Sequence, residues 1–141
     1  MLAVAPRFAY SSRVNQPPGA VKRVLIAEDD DHMRDVLQDL LSGAGYSVIA
    51  AEDGLEALDW LSRLSVSLLI VDILMPGLAG HQLIKRLRQT TQWAKVPILV
   101  LSGYADLTRY RDLPVDGVQL KPFRVADFLT KVGQLIGPAS G

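Results

Sequence analysis

A chain of 141 residues can build one domain with a sizeable core and is too short for two ordinary ones. Hydrophobic residues at 49%, charged residues at 21% and 15 basic against 15 acidic side chains describe an ordinary globular protein with no basic footprint for nucleic acid, so direct DNA binding is not expected. The absence of cysteine excludes a disulfide framework and a thiolate metal site, fitting a reducing, cytoplasmic compartment, and no apolar run is long enough to span a membrane.

Residues 1–20 lack the uninterrupted apolar core of a secretory signal and are broken by Pro17-Pro18-Gly19, so they read as a flexible leader. Residues 24–27 form a first predicted strand. It ends in Glu28-Asp29-Asp30-Asp31, after which Met33, Val36, Leu37, Leu40 and Leu41 recur at helical spacing up to Gly43. A second strand is predicted over 46–50, and a helix over 54–64 with Leu55, Leu58 and Leu61 facing inward. A buried third strand over 68–71 ends at Asp72. Met75-Pro76-Gly77 forces a turn, since proline cannot donate to a ladder and glycine permits positive φ, and a helix follows over 80–88. Pro97 opens a fourth strand over 96–101, and residues 104–114 are expected to hold one short helix stopped by Pro114. A fifth strand over 117–120 and a last helix over 125–136 complete the pattern. Five strands, each followed by a helix, predict an α/β fold with a five-stranded, doubly wound parallel sheet over 21–137. The remaining residues, 138–141, read as a short tail with no output domain.

In an open parallel sheet the ligand site lies beyond the carboxyl ends of the strands, where the winding direction reverses. The predicted strand ends deliver Glu28 and Asp29, then Asp72, Ser102 and Lys121, whereas Asp30 and Asp31 read as a helix start because acidic side chains favour that terminus. Carboxylates gathered in one place raise one another's pKa unless a cation holds them ionised. Magnesium, Mg2+, a hard ion that keeps several waters and binds phosphate oxygens, suits such a site better than an ion needing a full protein cage. Ser102 offers a hydrogen-bond donor and Lys121 a positive charge, and both answer the charge that builds on phosphoryl oxygens during transfer. Taken singly, Asp72 is as well read as a cap or turn residue, Ser102 as a turn hydroxyl and Lys121 as a surface lysine. Their joint occurrence at strand ends favours a site.

In this combination the sequence resembles the receiver domain of two-component response regulators, over roughly residues 22–136. The resemblance rests on the pair Glu28-Asp29, on Leu69-Ile70-Val71-Asp72-Ile73-Leu74-Met75-Pro76-Gly77, on Val100-Leu101-Ser102-Gly103 and on Lys121-Pro122-Phe123, in the family's order and approximate spacing. It implies a CheY-like fold in which Asp72 accepts a phosphoryl group from a sensor histidine kinase or a histidine phosphotransfer protein and signals to a downstream protein target. It further implies that Asp29 ligates magnesium directly, Glu28 through water, and Leu74 through its backbone carbonyl. Ser102 would hydrogen-bond the phosphoryl group and carry the switch, Lys121 would pair with a phosphoryl oxygen, and the backbone at Lys121 would have a special geometry before Pro122. On this reading the chain is no enzyme in its own right and assists only its own phosphorylation and dephosphorylation.

The sequence departs from the family's pattern at Val118, three positions before the lysine, where an aromatic that turns inward on activation is usual. An aromatic rotamer switch is therefore not supported. Leu74 and Tyr104, two positions beyond Asp72 and Ser102, offer little to orient an attacking water, which predicts a long-lived phosphorylated state. Two alternatives accompany the receiver reading. An aspartate-nucleophile phosphohydrolase uses similar groups but often carries a second aspartate where this chain has Leu74, and a phosphorylation-independent binding module would require a lost site residue, which is not seen.

Overall fold

The computed structural model describes residues 20–73, 80–103 and 113–140. Within them the apolar runs become five parallel strands, β1 (Arg23–Ala27), β2 (Ser47–Ala51), β3 (Leu68–Asp72), β4 (Ile98–Ser102) and β5 (Gly117–Leu120), in the spatial order β2-β1-β3-β4-β5. The described helices are α1 (Asp31–Gly43), α2 (Gly54–Leu61), α3 (Gly80–Gln89) and α4 (Val125–Ile136), with a 3-10 turn at Thr91–Trp93. The chain winds outward from β1 to β2, then crosses back to β3 and continues the other way. The direction of winding therefore reverses between β1 and β3.

Helices cover both faces of the sheet, and the two-residue period of the strands divides the core accordingly. Leu25, Ala27, Leu69 and Val71 pack under α2 and α3 with Leu61, Leu83 and Leu87. Val24, Ile26, Leu68 and Ile70 pack under α1 and α4 with Leu37, Leu41, Phe128 and Val132. This double coverage explains why β1, β3 and β4 are apolar on both faces. The helix starts are set locally: Asp30 caps α1 by accepting from the Met33 N–H at 2.7 Å, and Asp53 caps α2 by accepting from the Glu56 N–H at 2.8 Å.

β2, expected over 46–50, runs one residue later, over Ser47–Ala51, and three further expectations shift. Leu55 does not face inward; it is 60% exposed, and Gly54, Ala57 and Leu61 form the buried stripe of α2. Spacings of three and four residues select that stripe, and its small side chains let the helix lie close to the sheet. The same helix ends at Leu61 rather than at 64, its last turn closing through the Ser62 N–H on the Leu58 carbonyl at 3.0 Å. β4 begins at Ile98 rather than at 96 because the Val96 N–H is spent on the Trp93 carbonyl at 3.1 Å and Pro97 has no N–H to give. Residues 1–19 of the leader expected over 1–20, the turn Met75-Pro76-Gly77, Leu74, Tyr104 and most of the short helix expected over 104–114 lie outside the described residues. After α4 the chain is tied down: the Lys22 N–H donates to the Ala139 carbonyl at 2.8 Å and the Tyr46 hydroxyl to the Gly137 carbonyl at 2.6 Å.

Candidate functional site

Parallel register ends the central strands nearly level, with Ala27 beside Val71, Asp72 beside Leu101 and Ser102 beside Leu120. The residues at or just past these ends share one rim of the sheet. Glu28 continues the β1 ladder, its N–H donating to the Ala51 carbonyl at 3.0 Å, and its side chain is fully buried. Asp72, the last residue of β3, is 8% exposed, while Asp29 is solvent-exposed. One carboxylate oxygen from each of Glu28, Asp29 and Asp72 lies within 4.8 Å of the other two.

Lys121 follows β5 directly and reaches across the sheet. Its Nζ donates to Asp72 Oδ2 at 2.9 Å and lies 3.6 Å from Glu28 Oε1. The main chain ties Lys121 to the neighbouring strand end, its N–H donating to the Ser102 carbonyl at 2.8 Å. The Lys121–Pro122 peptide is cis. Ser102 is 1% exposed at the end of β4, with its Oγ donating to the Gly103 carbonyl at 3.1 Å. The described residues thus bring Glu28, Asp29, Asp72 and Lys121 together and set Ser102 on the neighbouring strand end. Leu74 lies outside them. Val118 is half-buried against the core face under α2 and α3, where it has no ring to turn.

Burial pushes the Glu28 carboxyl up to about 8, reinforced by its hydrogen bond with Asp72 and by that residue's charge; Lys121 and the Asp30 N–H pull the other way. Burial also works against the Lys121 ammonium, but the hydrogen bond to Asp72 and the charges of Asp72 and Glu28 outweigh it and raise its pKa. Glu28 Oε1 is buried without a hydrogen-bond partner. A buried oxygen in this condition, among oxygen-only donors, fits a hard cation such as magnesium.

Gly80 also belongs to this site, although the sequence reading used it only as a helix start. A Cβ on Gly80 would stand 2.5 Å from the Asp72 carbonyl oxygen and 2.8 Å from the Ile73 Cα, so only glycine lets α3 pack against the main chain that ends β3. The sequence shows only that the first helical residue is glycine, a poor helix former, and not what it packs against.

The family model described as response regulator receiver domain matches residues 24–133. The chain is 38% identical over 117 residues to the sensor histidine kinase TmoS of Ectopseudomonas mendocina, covering 81% of this chain and 12% of that protein. It is 33% identical to the regulatory protein VanRB of Enterococcus faecalis, covering 81% of this chain and 52% of that one, so it spans about half the length of this regulator. Among solved structures, a putative response regulator from Chloroflexus aurantiacus superposes with a TM-score of 0.78 at 32% identity, covering 85% of this chain and 98% of that one.

Proposed function

The chain belongs to the response regulator receiver domain family, whose members are generally phosphoryl acceptors, and from that premise we propose that it is a magnesium-dependent switch phosphorylated on Asp72. The observation that carries this reading is the placement of Asp72, nearly buried at the end of β3, within the three-carboxylate cluster and in contact with Lys121 at 2.9 Å. The donor is the phosphohistidine of a sensor kinase or of a histidine phosphotransfer protein. An Asp72 oxygen attacks phosphorus, a P–O bond forms as the P–N bond breaks, and the departing imidazole nitrogen keeps the electron pair and takes up a proton.

The chain's own part in this step is positioning and charge. Lys121 holds Asp72 Oδ2 before transfer and pairs with a phosphoryl oxygen after it. Ser102 turns its hydroxyl from the Gly103 carbonyl to that group. Glu28, Asp29 and Asp72 would hold magnesium, and the Leu74 carbonyl, outside the described residues, is the further ligand that the family resemblance implies. When bound, the ion offsets charge on the carboxylates and on the phosphoryl oxygens. The output is an altered surface read by a downstream protein, and the receiver unit runs over 21–137. The site of action is taken to be the cytoplasm, and among the described residues no helix is long and apolar enough to cross a membrane.

Intact-mass measurement after exposure to acetyl phosphate tests the proposal. The native chain should gain one phosphoryl group only with magnesium present, and Asp72→Asn should gain none. A native chain that stays unmodified in the presence of magnesium, or an Asp72→Asn variant that is modified equally, overturns it.

A further inference from the structure

One basic side chain of α1 turns back over the loop that carries the acidic pair. Arg34 is only 13% exposed, and its Nη1 donates to the Glu28 carbonyl at 2.9 Å and lies 3.4 Å from the Asp29 carbonyl. Its Nη2 donates to Asp31 and stands 3.7 Å from Glu52 Oε1, just past β2. Asp31 and Glu52 are 85% and 71% exposed, so these ion pairs are screened by solvent and contribute little. The partly buried bond to the Glu28 carbonyl is the stronger tie.

The guanidinium therefore grips the main chain of Glu28 and Asp29 while leaving their carboxylates to the site. We propose that Arg34 is a positioning residue for the cation and phosphoryl site, fixing the loop after β1 against the mutual repulsion of the carboxylates it carries. This inference rests on the magnesium-dependent reading of the site.

Charge and position predict opposite signs here. Arg34 is a cation beside an acidic cluster, so its charge alone would repel magnesium, and removing that charge alone would tighten binding. Removing the grip on the loop would weaken binding, and partners that orient metal ligands typically matter by about 10- to 100-fold. Calorimetric titration of the full chain with magnesium chloride separates the two. Arg34→Met is expected to weaken binding about 10-fold. Arg34→Lys, which keeps the charge but loses the planar fork, is expected to lie between it and the native chain. In chelator, amide exchange over residues 28–31 should be faster in both variants while the thermal midpoint confirms that each is folded; if Arg34→Met does not fold, Arg34→Lys carries the test. A folded variant that binds magnesium as tightly as the native chain, or more tightly, overturns the proposal. A native chain that binds no magnesium overturns the parent reading instead, and this one with it.

Discussion

Glu28 shows how a site can be unfavourable for the fold that carries it. Its carboxyl has no exposure, and burial, followed by the hydrogen bond with Asp72 and that residue's charge, lifts its pKa from an ordinary 4.5 to about 8. A group whose folded-state pKa is raised favours folding fully below the unfolded value and loses that contribution as pH rises towards the folded one. In chelator, native stability should therefore fall, through this group, between about pH 4.5 and pH 8. Glu28→Gln keeps the shape and a donor towards Asp72 while removing the ionisation. At pH 7 without magnesium it should be more stable than the native chain by roughly 1–3 kcal/mol, the advantage disappearing near pH 4.5. Urea unfolding at the two pH values checks this, and a variant less stable at both would show that the buried acid is favourable where it stands. With magnesium the order should narrow or reverse, because the ion offsets the charge of the native carboxylate, whereas the neutral glutamine gains no such compensation.

At the scale of elements, the approach of α3 to the end of β3 is set by one missing methyl group. Because a Cβ at residue 80 would meet backbone atoms at 2.5 and 2.8 Å rather than a side chain that could swing away, Gly80→Ala forces α3 and the Asp72–Ile73 main chain apart. Overpacking of this kind typically costs about 1–3 kcal/mol, and here the displaced atoms belong to the proposed phosphoacceptor. The variant is expected to lose that much stability in chemical denaturation and to load more slowly from acetyl phosphate. Unaltered loading in a destabilised variant would confine Gly80 to packing. The other end of α3 is anchored by a side chain: Arg88 donates to the Ala94, Val96 and Pro114 carbonyls and pairs with Asp116 at 2.9 Å, joining α3 to the segments before β4 and β5. Asp116 also accepts from the Ile98 N–H at 2.8 Å, so one ion pair closes the amino ends of two strands.

At the scale of the whole molecule, the rim of the sheet and its opposite end answer to different forces. The opposite end is closed by hydrogen bonds, from the Lys22 N–H to the Ala139 carbonyl and from the Tyr46 hydroxyl to the Gly137 carbonyl, whereas the rim gathers carboxylates that repel. A ligand that binds only the folded chain stabilises it by mass action, by about 2.7 kcal/mol at a hundredfold excess over its dissociation constant. Magnesium should therefore raise the thermal midpoint relative to chelator, and Asp29→Asn should remove most of the rise; an equal rise in that variant would place the ion elsewhere. By itself the sequence determined the parallel, doubly wound architecture and nominated Glu28, Asp29, Asp72, Ser102 and Lys121. Buried strands and amphipathic helices write their periods into the apolar pattern, and polar residues that interrupt such runs at strand ends stand out. Only the tertiary structure decided that Leu55 faces solvent, that Gly80 touches the main chain of Asp72 and that Arg34 holds the Glu28 carbonyl. Those facts depend on how closely elements distant in the chain, or a side chain and a backbone carbonyl, come together, and neither apolar period nor residue type encodes that distance.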